Sequence, residues 1–179
     1  EMCIRDSLKG AVEHKDSLGN SGKLNDGDVQ WMTAGSGILH QEMPIGNYKG
    51  EMHGFQLWAN LPSNLKMTDP NYQDIKSSDI KVINDDDGTI IKIIIGDYRG
   101  YQGLIKGIAS NPQYFDIYVP PNKIKNFPIS LRDNCFACIF EGEAKFDYAS
   151  TPTGIKIEKS YNNEDYTIRD MSGNKTLIT

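Results

Sequence analysis

Gly27 to Pro44 reads GDVQWMTAGSGILHQEMP. Gly27-Asp28 suits a turn, Val29 to Thr33 a short apolar strand, and Ala34-Gly35-Ser36-Gly37 a second tight turn that delivers Ile38-Leu39-His40 into the next strand. The spacing predicts a hairpin whose return strand carries His40 and Glu42. Side chains at i and i+2 of a strand share a face, so these two can reach one metal ion together. By spacing alone, two surface groups are the simpler reading of an H-x-E pair; the turn-strand-turn setting raises the case for ligands. Met43-Pro44 is expected to end the strand, since Pro cannot donate to a sheet ladder.

Working outward, strand signals dominate and helical periodicity is missing. Strands are predicted at Leu8 to His14, Val29 to Thr33, Ile38 to Glu42, Gly54 to Asn60, Thr89 to Ile95, Tyr114 to Val119, Cys135 to Phe140, Lys145 to Tyr148, Ile155 to Lys159 and Tyr166 to Asp170. Gly, Asn, Asp and Pro turns separate them, and one helical turn is expected near Ser63 to Met67. Many short, evenly spaced strands argue for a sandwich or barrel. Pro62 to Ile83 is polar and reads as a linker or crossing segment. Asp85-Asp86-Asp87-Gly88 lacks the later Glu of a calcium loop and reads as a solvated turn near a boundary between two halves.

At 179 residues and a net charge of −5, the chain can bury a sizeable core but has no dense Lys/Arg cluster. Direct nucleic-acid binding is therefore not expected; an effect on DNA would run through another protein. No segment matches a signal peptide or membrane span, so a cytoplasmic location is expected, or a nuclear one if the source is eukaryotic. Three cysteines make no disulfide framework. Cys135 and Cys138 form a CxxC, but it falls on what reads as a buried strand with no second Cys or His pair, so packing outweighs a redox or zinc role.

LKGAVEHKDSLGNSGKLNDGDVQWMTAGSGILHQEMP, followed by HGFQLWANLPSNLKMTDPNYQDI, resembles the pirin family of the cupin superfamily. The likeness is dense from Leu8 to about Ile75 and weaker through Ile90 to Gly107 and Gln113 to Ile117. It implies an all-β bicupin fold of two β-barrel or jelly-roll domains, both incomplete in this chain: residues 8–80 as the N-terminal domain and 81–179 as part of the second. Glu1 to Ser7 fit no strand pattern and are read as a non-native leader, set aside together with Cys3. The end, Thr176 to Thr179, reads as a strand cut in progress.

The resemblance also implies one iron, Fe(II) or Fe(III), in the N-terminal barrel, held by an H-x-H pair and then the His and Glu of G-I-x-H-x-E. His40 and Glu42 match the second pair, and Glu42 is the ligand placed to act as base. No counterpart of the first pair is present, so two of the four family ligands are absent, and the chain as it stands is expected to be inactive. Neutral imidazoles and a carboxylate suit Fe(II). The implied activity is that of a quercetin 2,3-dioxygenase, opening a flavonol-like aromatic substrate with dioxygen. The alternative is a redox-sensing iron protein that acts as a transcriptional cofactor by docking on a regulatory protein.

The remaining candidates have structural readings beside functional ones. Trp31 and Trp58 are most simply barrel core, whereas Trp31, Met32 or Gln56 could line a substrate cavity. His14 and His53 are expected to pack or to hydrogen-bond, His14 near a turn.

Overall fold

The computed structural model describes residues 2–130 and 133–146, and residues 153–161 and 165–178 as strands only. Chain contacts divide it into two units, Glu1–Ile124 and Lys125–Thr179. Apart from two single 3-10 turns, Ser63–Leu65 and Ser77–Asp79, every described element is a β-strand, so the all-β expectation holds.

The first unit is organised by β1 (Met2–Lys9) and β4 (Val29–Thr33). They pair antiparallel at the centre of a four-stranded sheet, flanked by β6 (His53–Ala59) and β7 (Asn71–Ile75) in the order β6-β1-β4-β7. Both central strands are buried on both faces, and alternation sorts their side chains. Met2, Ile4, Val29 and Trp31 point to one face, where they share a core with Leu61, Ile80, Ile94, Ile95 and Ile105. Cys3, Arg5, Gln30 and Met32 fall on the other face, opposite a second sheet.

That second sheet is β3-β2-β5, built from β2 (Ala11–Asp16), β3 (Ser21–Leu24) and β5 (His40–Gly46). A third, β12-β9-β8, comprises β8 (Lys81–Asn84), β9 (Ile90–Ile95) and β12 (Tyr114–Tyr118). Between β9 and β12 lies the two-residue ladder of β10 (Asp97–Tyr98) and β11 (Tyr101–Gln102). In the second unit β13 (Ala137–Ile139), β14 (Thr153–Tyr161) and β15 (Asp165–Ile178) form an antiparallel sheet in the order β13-β15-β14.

Several sequence expectations are corrected. Met2 to Ser7, set aside as a leader, supply the central strand of the first sheet, and their polar members escaped the pattern because they are buried with partners. The boundary expected between residues 80 and 81 does not divide the contacts. Ile80, Ile94 and Ile95 belong to the same core as Met2 and Trp31, so residues 81–124 fall in the first unit. Asp85 to Gly88 is accordingly the turn of the β8-β9 hairpin, closed by Gly88 N–H on the Asp85 carbonyl at 2.9 Å. The segment read as a linker contains β7.

Val29–Thr33 and the strand of His40 do not make a hairpin: β4 pairs with β1 and β7, whereas β5 pairs with β2. Nor does Pro44 end β5. The strand lies at the edge of its sheet, where a residue without an N–H is tolerated. Around Cys135 the strand is only Ala137–Ile139; Cys135 is exposed, Cys138 half-buried, and no disulfide joins them. Of Lys145 to Tyr148, residues 145 and 146 are not strand, and 147 and 148 lie outside the described residues.

Two buried carboxylates bear on the stability of this unit in opposite ways. Asp28, 3% exposed, accepts backbone N–H bonds from Asn25 (3.0 Å) and Ser77 (2.9 Å) and the Lys76 ammonium at 2.9 Å. Burial works against its charge, but these donors together hold its pKa below the usual value. Gly27 beside it has φ +77°, and a Cβ there would sit 2.9 Å from Ser77 Cβ, so the Gly-Asp pair clamps the turn before β4 onto Ser77. Asp28→Ala is expected to cost about 2–4 kcal/mol, since two amides lose their acceptor. Denaturant unfolding measures this, and a change below about 0.5 kcal/mol would contradict the clamp.

Asp6, also buried, accepts from Tyr114 Oη at 3.3 Å. Burial first, and then Asp116, push its pKa from 3.8 up to about 6, against Tyr114 and Lys92. A carboxyl whose pKa is raised by folding binds its proton more tightly in the folded state. Stability therefore falls as pH rises from about 4 through 6, and the full cost of the buried charge, about 3 kcal/mol, is present above that window. Asp6→Asn is expected to be more stable relative to wild type at pH 7.5 than at pH 4.5, by on the order of 2–3 kcal/mol. Equal differences at the two pH values would refute the buried charge.

Candidate metal centre

The inner faces of the two sheets meet rung by rung. Across the first sheet one rung is Gln56, Arg5, Gln30 and Asp74, and the next is Trp58, Cys3, Met32 and Tyr72. On the opposing sheet the register sets His14 between Glu42 and Gly22, and His40 beside Asp16. The i, i+2 spacing of β5 therefore turns His40 and Glu42 toward the same place, with His40 Nδ1 3.1 Å from Glu42 Oε1.

Gln30, 2% exposed, is the hub. Its carbonyl accepts from Arg5 Nη1 at 2.7 Å, and its amide donates to Asp74 Oδ1 at 2.8 Å. The amide also lies 3.1 Å from His14 Nε2, which as acceptor is the unprotonated ring nitrogen. His14 thus hydrogen-bonds across the interior rather than at a turn, and its ring stacks on Tyr72 with centroids 6.1 Å apart. Burial, and then Asp16, push the Tyr72 phenol up to about 12, so it keeps its proton.

The carboxylate of Glu42 is already engaged. Arg5, 5% exposed, places Nη2 against Glu42 Oε1, the same oxygen that lies nearest His40. Burial, followed by the Arg5 charge, lowers the pKa of His40 despite the pull of Asp16. That favours the neutral imidazole, the form that ligates metals. As a donor set, however, His40 and Glu42 do not fit a metal ion in this chain. They are two groups with a guanidinium against one of them, and among the described residues no three of His, Cys, Asp and Glu are grouped to hold an ion.

A cavity of about 70 Å³ adjoins His40, with Cys3, Met32, Gln56 and Trp58 among its walls. Met32 and Gln56, predicted as pocket residues, thus sit beside His40. Trp31, predicted with them, does not: it is 1% exposed on the opposite face of β4, in the core, because it is odd in an alternation where Gln30 and Met32 are even. Trp58, expected in the core, is 61% exposed, since β6 is an edge strand. His53 lies apart, its ring 5.8 Å from that of Phe55. Sequence reading missed Arg5, Gln30 and Asp74. Their only signal was a polar residue every second position of a strand, and this shows once the strand partners are known.

His and Glu side chains on an edge strand, facing a second antiparallel sheet, are an arrangement compatible with the cupin class. The pirin family model matches residues 6–59. A pirin-like protein of Caulobacter vibrioides is 40% identical over 139 residues, covering 77% of this chain and 50% of that protein. Human pirin is 41% identical over 134 residues, 75% of this chain and 45% of its own length. A crystal structure of quercetin 2,3-dioxygenase from Acinetobacter baumannii aligns with TM-score 0.63 at 29% identity, over 99% of this chain and 56% of that one. Over these residues the chain belongs to the pirin family of the cupin superfamily, and a bicupin arrangement is consistent with that family. It spans about half the length of the curated relatives it matches. Among the described residues no helix is long and apolar enough to cross a membrane.

The packing of His14 carries its own test. A Cβ at Gly22 would lie 2.5 Å from His14 Nε2, so Gly22→Ala must push the imidazole off Gln30. The expected cost is about 1–3 kcal/mol, vanishing in a His14→Ala background. A penalty that persists there would mean Gly22 serves the backbone rather than the histidine.

Proposed function

We propose that the full-length protein is an iron-dependent oxygenase of the quercetin 2,3-dioxygenase type, with a flavonol-like aromatic substrate. In it His40 and Glu42 are half of the ligand set, and Glu42 is the ligand that takes the substrate's phenolic proton. The observation that carries this reading is the inward His40–Glu42 pair, 3.1 Å apart and beside a cavity walled by Met32 and Gln56, inside the segment that matches the family. The likeness to a quercetin 2,3-dioxygenase supports the substrate class. A cavity of about 70 Å³ is far below the roughly 300 Å³ and more that a drug-sized ligand fills. Turnover is accordingly proposed for the full-length protein, with the remaining metal ligands supplied from outside these residues.

In such a protein His40 and Glu42 would help hold the iron, which would supply the redox chemistry of the oxygenation. The expected result is that full-length protein, loaded with Fe(II) without air and then given quercetin and dioxygen, releases carbon monoxide and the ring-opened ester, and that Glu42→Gln abolishes both. An iron-loaded protein yielding neither product would overturn the oxygenase reading. Iron-state-dependent binding of a regulatory protein would then favour the alternative of a redox-sensing transcriptional cofactor.

A further inference from the structure

We infer that Arg5 is the resident cation of this site, and that the 179-residue chain excludes a divalent metal from His40 and Glu42 by filling the cation's place with a guanidinium. The inference rests on reading His40 and Glu42 as a ligand pair. Arg5 is 5% exposed, and its planar fork spans the two sheets: Nη1 donates to Gln30 Oε1 at 2.7 Å, and Nη2 lies against Glu42 Oε1. That oxygen is the one 3.1 Å from His40 Nδ1, so the guanidinium engages the atom a metal shared by the pair would need. A guanidinium does not give up its proton in a protein and cannot move aside by neutralising. A dication would have to displace it, stranding Gln30 Oε1, or bind beside a fixed positive charge in a poorly screened interior.

The experiment is a Co(II) titration of the 179-residue chain, followed by calorimetry and by the visible ligand-field bands. Wild type is expected to show no saturation below millimolar Co(II). Arg5→Met, which keeps a long apolar stem without charge, is expected to bind at least tenfold more tightly, and the gain should disappear when Glu42→Gln is added. Arg5→Gln, able to keep a hydrogen bond to Gln30, serves if the Met variant does not fold. Micromolar Co(II) binding by wild type, or equal affinity in the charge-free variants, overturns the inference. A gain that Glu42→Gln leaves intact overturns the ligand-pair reading on which it rests. Absence of quercetin turnover in the full-length protein sinks only the oxygenase proposal, because this readout is metal affinity.

Discussion

The rest of this structure depends on β1 and β4 being covered on both faces. A strand with one wet face can place any polar residue there; these two cannot. On one face Met2, Ile4, Val29 and Trp31 make the core. The other face sets Arg5 and Gln30 among Cys3 and Met32, and each buried polar group there needs a partner, because an unsatisfied one costs about 1–3 kcal/mol. Gln30 resolves most of that demand. Its carbonyl takes Arg5, and its two N–H groups serve Asp74 and His14, so one neutral side chain links β1, β2, β4 and β7. The polar wall of the site and the rigidity of the sheet pair come from the same set of bonds.

How much of this was legible in the sequence follows the range of each interaction. The i, i+2 rule is local, and it put His40 and Glu42 on one face without any knowledge of the sheets. Val29 to Thr33 was found to the residue because its burial coincides with its apolarity. The partner of β5 was not legible. Gly35 and Gly37 read as a hairpin turn, but they carry the chain from one sheet to the other, and a tight turn looks the same either way. Asn71–Ile75 was read as linker because Tyr72 and Asp74 make its inner face polar, and Glu1 to Ser7 were set aside because Arg5, Asp6 and Ser7 leave no apolar strand pattern. In β1 hydrophobic periodicity failed because the burial there includes polar groups with partners.

The same logic bears on what the family resemblance can transfer. A motif match moves residues, and His40 and Glu42 arrive together on β5, close enough to touch. A metal site is a property of the whole donor set and its net charge, and that set is assembled from several strands. Glu42 is a half-buried carboxylate turned toward the opposing sheet, and an anion in that setting is stable only beside a cation. A divalent ion held by further imidazoles meets the requirement, and so does a guanidinium. Which of the two is present is decided by the strand opposite, not by the motif: here β1 brings Arg5 to the rung of Gln30 and sets its guanidinium against the carboxylate. The motif fixes where positive charge must sit, and the neighbouring strand fixes whether that charge belongs to a metal or to the chain.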